Sequence, residues 1–208
     1  MDTSPLVLVV DDDASVRKSL DRLLRSSGYM VRTFATPREF LDGDHGDPGQ
    51  PRCVVADVMM PGLTGIELQE ELSRRGSPLH LVFITGHGDI PMGVRAMRDG
   101  AIDFLEKPFD DDELLGAVDR AMLRCIEDTG RREAAGHARD ALRTLTPREH
   151  EVMRYVISGL LNKQIARRMD IAEKTVKVHR GRVMQKTGVV SVAELVRLAG
   201  RAGVPPAE

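Results

Sequence analysis

The first half of the chain places polar residues of particular kinds directly after apolar runs. Asp11, Asp12 and Asp13 follow Leu6–Val10, Asp57 follows the run at 52–56, Thr85 follows Leu79–Ile84, and Lys107 comes just after the run at 102–105. Three adjacent carboxylates repel one another unless a cation neutralises them. A hard divalent ion such as Mg2+ (or Mn2+) is held through one or two carboxylates, keeps several waters and accepts phosphate oxygens. Asp11 and Asp12 would form one side of such a site. Asp57 would add an oxygen, and the backbone carbonyl of Met59 another. A carboxylate oxygen can attack phosphorus and form an aspartyl phosphate. The metal, the Lys107 ammonium and the Thr85 hydroxyl would then stabilise the charged phosphoryl oxygens.

These residues need elements that bring them together. The apolar runs at 6–10, 52–56, 79–84 and 102–105, with a weaker alternating run at 29–34, have the length and continuity of strands buried on both faces. Helical patterns lie between them: Val16, Leu20, Leu23 and Leu24 share one face before Gly28, and 64–72, 91–98 and 112–123 carry similar stripes. Five β-α units predict an α/β domain with a parallel sheet covered on both faces. In such a sheet ligands bind beyond the carboxyl ends of the strands, where Asp11, Asp57, Thr85 and Lys107 would converge.

Composition narrows the function classes. The chain has 208 residues, enough for two small domains, with no apolar window of membrane-spanning length. The N-terminal residues have no basic segment, so neither a secretory leader nor a membrane partner is expected, and the cytoplasm is the expected location. Cys53 and Cys125 lie outside metal-ligand spacing and read as buried apolar residues. The absence of Trp disfavours stacking on single-stranded nucleic acid. Residues 1–124 hold 14 Lys+Arg against 22 Asp+Glu, and residues 125–208 hold 16 against 10, so a net charge of -2 hides an acidic front and a basic back. A cation in front and a polyanion behind are the partners this split suggests.

The motifs VVDDD, DVMMPGLTG, ITGHGD and FLEKPF, in this order and spacing, resemble a bacterial response-regulator receiver domain over residues 4–124. The resemblance implies a flavodoxin-like, doubly wound five-stranded parallel sheet and makes Asp57 the phosphoacceptor, with phosphate supplied by a partner sensor histidine kinase. It makes Asp11 and Asp12 the acidic metal pair, Thr85 and Lys107 the readers of phosphorylation, and Phe104 the switch aromatic. It also implies a cis Lys107–Pro108 bond. Asp13 adds a third acid and is given no ligand role; Asp11 or Asp13 alone could instead be the N-cap of the helix at 14–26, and His87 reads as a loop histidine. A rival reading takes Asp11-Asp12-Asp13-Ala14-Ser15 as the DxDx[T/S] start of a haloacid-dehalogenase-type phosphatase; Asp57 followed by Met-Met-Pro-Gly does not fit it.

Residues 125–143 read as a charged linker, helical in part, with a plain solvated helix as the safer reading. Beyond it, Thr146-Pro147-Arg148-Glu149 has the form of a capped helix start. Helices are expected from there to near Gly159, with Val152, Tyr155, Val156 and Leu160 as the buried stripe, at 162–169, at about 173–187 with Gly188 as stop, and at about 191–199. Residues 162–186 carry eight Lys+Arg against two Asp+Glu. Two helices joined by a short break make a helix-turn-helix, whose second helix enters the major groove of duplex DNA. Val176, Val183 and Met184 should face inward, while Lys174, Lys177, Arg180, Gly181 and Lys186 should lie elsewhere.

The segment 144–204 resembles the LuxR-type four-helix DNA-binding domain. The resemblance places Lys174, Thr175, Lys177, Val178 and Gly181 on the DNA-facing side, and Lys163 and Arg180 join them as candidates. Gly181 stands where relatives often carry a longer side chain. The final helix forms the dimer contact in relatives. The whole chain resembles a two-component response regulator of the FixJ type, as in nitrogen-fixation and styrene-catabolism control. This implies a transcription factor rather than a turnover enzyme. It would form a homodimer on phosphorylation, bind double-stranded promoter DNA and act on RNA polymerase.

Overall fold

The computed structural model describes residues 4–47, 49–86 and 90–207. It divides into two compact units, the first running to Thr129 and the second beginning at Gly130.

In the first unit the apolar runs form strands β1 (Leu6–Val10), β2 (Met30–Phe34), β3 (Arg52–Asp57), β4 (His80–Thr85) and β5 (Asp103–Glu106). They make one parallel sheet in the order β2-β1-β3-β4-β5. Side chains alternate across the sheet, so each strand feeds two cores. Leu8, Val10, Val54, Ala56, Leu81 and Phe83 point to one face, with Phe40, Ile66, Leu68, Leu72 and Ala96 from the covering helices α2 (Pro37–Asp42), α3 (Gly65–Arg74) and α4 (Ile90–Arg98). Val7, Val9, Val55, Val82 and Ile84 point to the other. There they meet Leu20 and Leu24 of α1 (Ala14–Ser26) and Leu114, Val118 and Ala121 of α5 (Asp111–Arg143). The continuous apolar pattern of β1 follows, because all five of its residues are buried.

Two features go beyond the expected layout. The short helix α2 was not separated from its surroundings by periodicity; Thr36 caps it, accepting from the Glu39 N–H, and Pro37 starts it. The stretch expected to be a linker is helical throughout, as the second part of α5. The first part of α5 carries Leu114, Val118 and Ala121 into a core of the first unit, and Leu142 joins the core of the second unit. Its middle has no apolar stripe, which is why its sequence resembles a linker.

The second unit contains α6 (Pro147–Ile157), α7 (Asn162–Met169), α8 (Glu173–Thr187) and α9 (Val192–Ala202) around a core of Leu142, Val152, Met153, Val156, Ile165, Met169, Val176, Val183 and Leu195. The capping box at α6 forms as expected: Thr146 Oγ1 accepts from the Glu149 N–H at 3.3 Å, and Glu149 accepts from the Thr146 N–H at 2.9 Å. Helix α7 ends at Asp170, in the left-handed region at φ 52°, a conformation Asp tolerates better than most residues. This sharp stop makes the turn before α8.

Candidate functional site

The sheet assembles the first site at the ends of four strands. Asp11 is the first residue beyond β1 and is fully buried; Asp57 ends β3, Thr85 ends β4 and is fully buried, and Lys107 follows β5. The Lys107 ammonium donates to Asp11 Oδ2 at 3.0 Å and to Asp57 Oδ2 at 3.1 Å. Asp57 Oδ1 accepts from the Met59 N–H at 3.2 Å, which ties the β3–α3 loop to the carboxylate. The Lys107 N–H donates to the Thr85 carbonyl at 2.7 Å, and the Lys107–Pro108 bond is cis. Asp11, Asp12 and Asp57 each bring a carboxylate oxygen within 4.8 Å of the others.

Burial pushes the Asp11 carboxyl above its ordinary value, and the hydrogen bonds from Lys107 and the Asp13 N–H only partly oppose this. Burial works against the Lys107 charge, but the carboxylates of Asp11 and Asp57 outweigh it and hold the ammonium above its ordinary value. Three carboxylates thus share the charge of one adjacent ammonium. A set of hard oxygen donors with excess negative charge fits Mg2+ or Mn2+. Asp11, Asp12 and Asp57 would hold such an ion, and their separation suits a single centre.

The neighbouring residues sort by what they touch. Asp13 caps α1, its Oδ1 accepting from the Ser15 and Val16 N–H groups at 2.7 and 3.3 Å. That use of the second aspartate does not fit the phosphatase motif, which needs it at the reacting centre. Phe104 is half-buried, and its ring centroid lies 6.4 Å from that of Phe83. Met59 is 55% exposed beside the carboxylates. His87 lies outside the described residues.

Sequence reasoning missed Gly65. A Cβ there would lie 2.4 Å from the Asp57 carbonyl oxygen and 3.0 Å from Val58 Cα, so only glycine lets the start of α3 reach the Asp57 backbone. The Gly65 N–H donates to the Val58 carbonyl at 2.9 Å in that close approach. The available signal was a glycine directly after a helix-capping threonine, Thr64.

The second candidate site lies on α8. Lys174, Thr175, Lys177, Val178 and Gly181 are exposed, while Val176 and Val183 are buried. Positions 174, 177, 178 and 181 have the spacing of one helix face. Lys163 is exposed on the first turn of α7, and Arg182, which sequence reasoning passed over, is exposed on α8. Two basic residues outside the core are engaged by neighbouring groups, Lys186 while still exposed. Arg180 is half-buried, with Nη1 donating to Asn162 Oδ1 at 3.1 Å across α7 and α8. Lys186 Nζ donates to the buried Glu149 carboxylate at 2.7 Å and to the Thr144 carbonyl at 3.2 Å. The Lys186 hydrogen bond, with the Thr146 N–H behind it, lowers the Glu149 carboxyl to a pKa of about 2. Residue type gave no sign of this pairing, which joins the N-terminus of α6 to the C-terminus of α8.

Among the described residues, no helix is long and apolar enough to cross a membrane. Residues 7–119 match the response regulator receiver domain, and residues 143–199 match the bacterial regulatory proteins of the luxR family. The chain is 47% identical to nodulation protein W of Bradyrhizobium diazoefficiens, over 97% of this chain and 88% of that protein. It is 46% identical to the transcriptional regulatory protein FixJ of the same organism, over 98% of each. A low-resolution structure of the response regulator StyR, 48% identical, superposes with a TM-score of 0.81 over 95% of this chain and 99% of that one. The chain therefore belongs to the two-component response regulators that join a receiver domain to a luxR-family DNA-binding domain.

Proposed function

We propose that Asp57 is the phosphoacceptor through which a sensor histidine kinase controls DNA binding by the second unit. The observation that carries this reading is the Lys107 ammonium shared by Asp11 and Asp57 beside Asp12. One Asp57 oxygen attacks the phosphorus of a phosphohistidine; the P–N bond breaks as the O–P bond forms, and the kinase imidazole leaves with the electron pair. Asp11, Asp12, Asp57 and the Met59 carbonyl would hold a Mg2+ or Mn2+ ion, which would neutralise charge on the phosphoryl oxygens. Lys107 then turns from the Asp57 carboxylate to a phosphoryl oxygen, Thr85 donates its hydroxyl to another, and Phe104 follows by changing its packing.

The receiver is taken as residues 4–124, the connecting helix as 125–143 and the DNA-binding domain as 144–204. Phosphorylation favours a homodimer, which reads paired half-sites in promoter DNA and acts on RNA polymerase in the cytoplasm. Lys163, Lys174, Thr175, Lys177, Val178, Arg180 and Gly181 form the DNA face. Within it Arg180 supports the helix pair through Asn162, and the exposed lysines neutralise phosphates.

Intact-mass spectrometry after incubation with acetyl phosphate and Mg2+ tests the phosphoacceptor. The expected result is a gain of one phosphoryl group in the wild type and none in Asp57→Asn or without metal. A gain that persists in Asp57→Asn would place the nucleophile elsewhere, with Asp11 first to be examined.

A further inference from the structure

Arg17 stands where helix electrostatics disfavour a cation. It is the fourth residue of α1, whose first turn contains no acidic residue, and a helix N-terminus favours negative charge. Its side chain is half-buried and reaches back past the start of the helix, where Nη1 donates to the Asp11 carbonyl oxygen at 2.6 Å. Asp11 has left the strand ladder, which ends at Val10. Its carbonyl therefore needs a partner from outside the sheet. Arg17 completes a set that holds every polar atom of Asp11. The Asp11 N–H donates to the Phe34 carbonyl at 3.2 Å, Oδ1 accepts from the Asp13 N–H at 2.8 Å, and Oδ2 accepts from Lys107 at 3.0 Å.

We propose that Arg17 is a positioning residue for divalent-cation binding: by pinning the main chain of Asp11 it aims the carboxylates of Asp11 and Asp12 at one point. The inference rests on the reading of this site as a metal-dependent phosphoryl acceptor. It makes a prediction opposite to that of simple charge. A guanidinium hydrogen-bonded to the Asp11 main chain adds positive charge beside the site, so removing an electrostatic bystander would tighten metal binding. Removing a positioning residue loosens it.

The test is Mn2+ titration of the full chain, with free Mn2+ read by electron paramagnetic resonance, for wild type, Arg17→Met and Arg17→Lys. Arg17→Met is expected to raise the Mn2+ Kd about tenfold, the lower end of what losing a ligand-orienting partner costs. Arg17→Lys, which keeps the charge and a donor, is expected to recover part of this loss. At saturating Mg2+, the acetyl phosphate reaction of Arg17→Met is expected to stay within about threefold of wild type, so the half-saturating Mg2+ moves more than the maximal rate. An unchanged or lower Kd in Arg17→Met overturns the proposal, even where its melting temperature falls. If Arg17→Met does not fold, Arg17→Lys carries the test, with an unchanged Kd as the contrary result. Wild type that binds no Mn2+ would overturn the metal-site reading itself, and the role of Arg17 with it.

Discussion

Two lysine–carboxylate clusters, one in each unit, use the same groups to opposite ends. Lys107 is shared between Asp11 and Asp57, with Asp12 close by, so negative charge is left over at the edge of the sheet. Lys186 meets a single buried carboxylate, Glu149, which is also held by the Thr146 N–H. The first cluster carries more negative charge than its lysine balances. The second is complete and ties two helices together. A lysine–carboxylate pair is therefore not by itself a sign of a reactive site; the local charge balance is the more telling feature.

The two regions differ most in what they demand of glycine. A Cβ at Gly65 would meet the Asp57 backbone at 2.4 Å, whereas nothing lies within 4 Å of one at Gly181. Gly65→Ala is expected to destabilise the protein by about 3 kcal/mol, the upper end of ordinary overpacking. Gly181→Ala is expected to stabilise it, by up to about 1 kcal/mol, through helix propensity. Urea denaturation measures both. Equal effects from the two would remove the claim that the Asp57 loop depends on this close approach.

Acid titration sharpens the contrast between the clusters. The folded-state pKa of Glu149 is about 2, below its ordinary value of 4.5. Its contribution is thus fully present above about 4.5 and is lost as pH falls toward 2. Asp11 is shifted the other way, because burial raises it. In Glu149→Gln the stability lost between pH 4.5 and 2 is expected to shrink relative to wild type, as read by thermal unfolding at stepped pH. An unchanged acid limb would show that Glu149 does not carry this dependence.

The smallest expected effect separates free from committed lysines. Lys177 and Lys186 are both exposed, but the Lys186 ammonium is held by the buried Glu149 carboxylate. Each phosphate contact contributes about 0.9 to the slope of log K against log salt. Lys177→Ala is expected to reduce that slope by about one on duplex DNA selected by the wild-type protein. Lys186→Ala should change it less while lowering the melting temperature. Equal slope changes would put Lys186 on the DNA face as well.

Much of the receiver was legible because β1, β3 and β4 are short and nearly all buried, and because they and β5 are followed by chemically distinctive residues. Asp11, Asp57, Thr85 and Lys107 could be placed on one edge from the β-α alternation alone, since parallel strands put their carboxyl ends together. The inward face of α8 was legible from Val176 and Val183. The helical continuity of 125–143 was not, because its charged and small residues form no stripe. The roles of Arg180 and Lys186 were equally hidden, because a basic residue has the same identity whether it faces DNA or a buried carboxylate.

The sequence alone determined which groups are available and along which period they repeat: five buried strands, a capped helical unit, an acidic cluster and a basic helix. These follow from local chemistry, in residue type, apolar spacing and capping. Tertiary structure decided which charges meet. It brought Lys107 to two aspartates, Lys186 to Glu149 and Arg17 to the Asp11 carbonyl, and it left no room for a side chain at Gly65. Most of these contacts join different elements, and their distances are set by how helices and strands pack rather than by spacing along the chain.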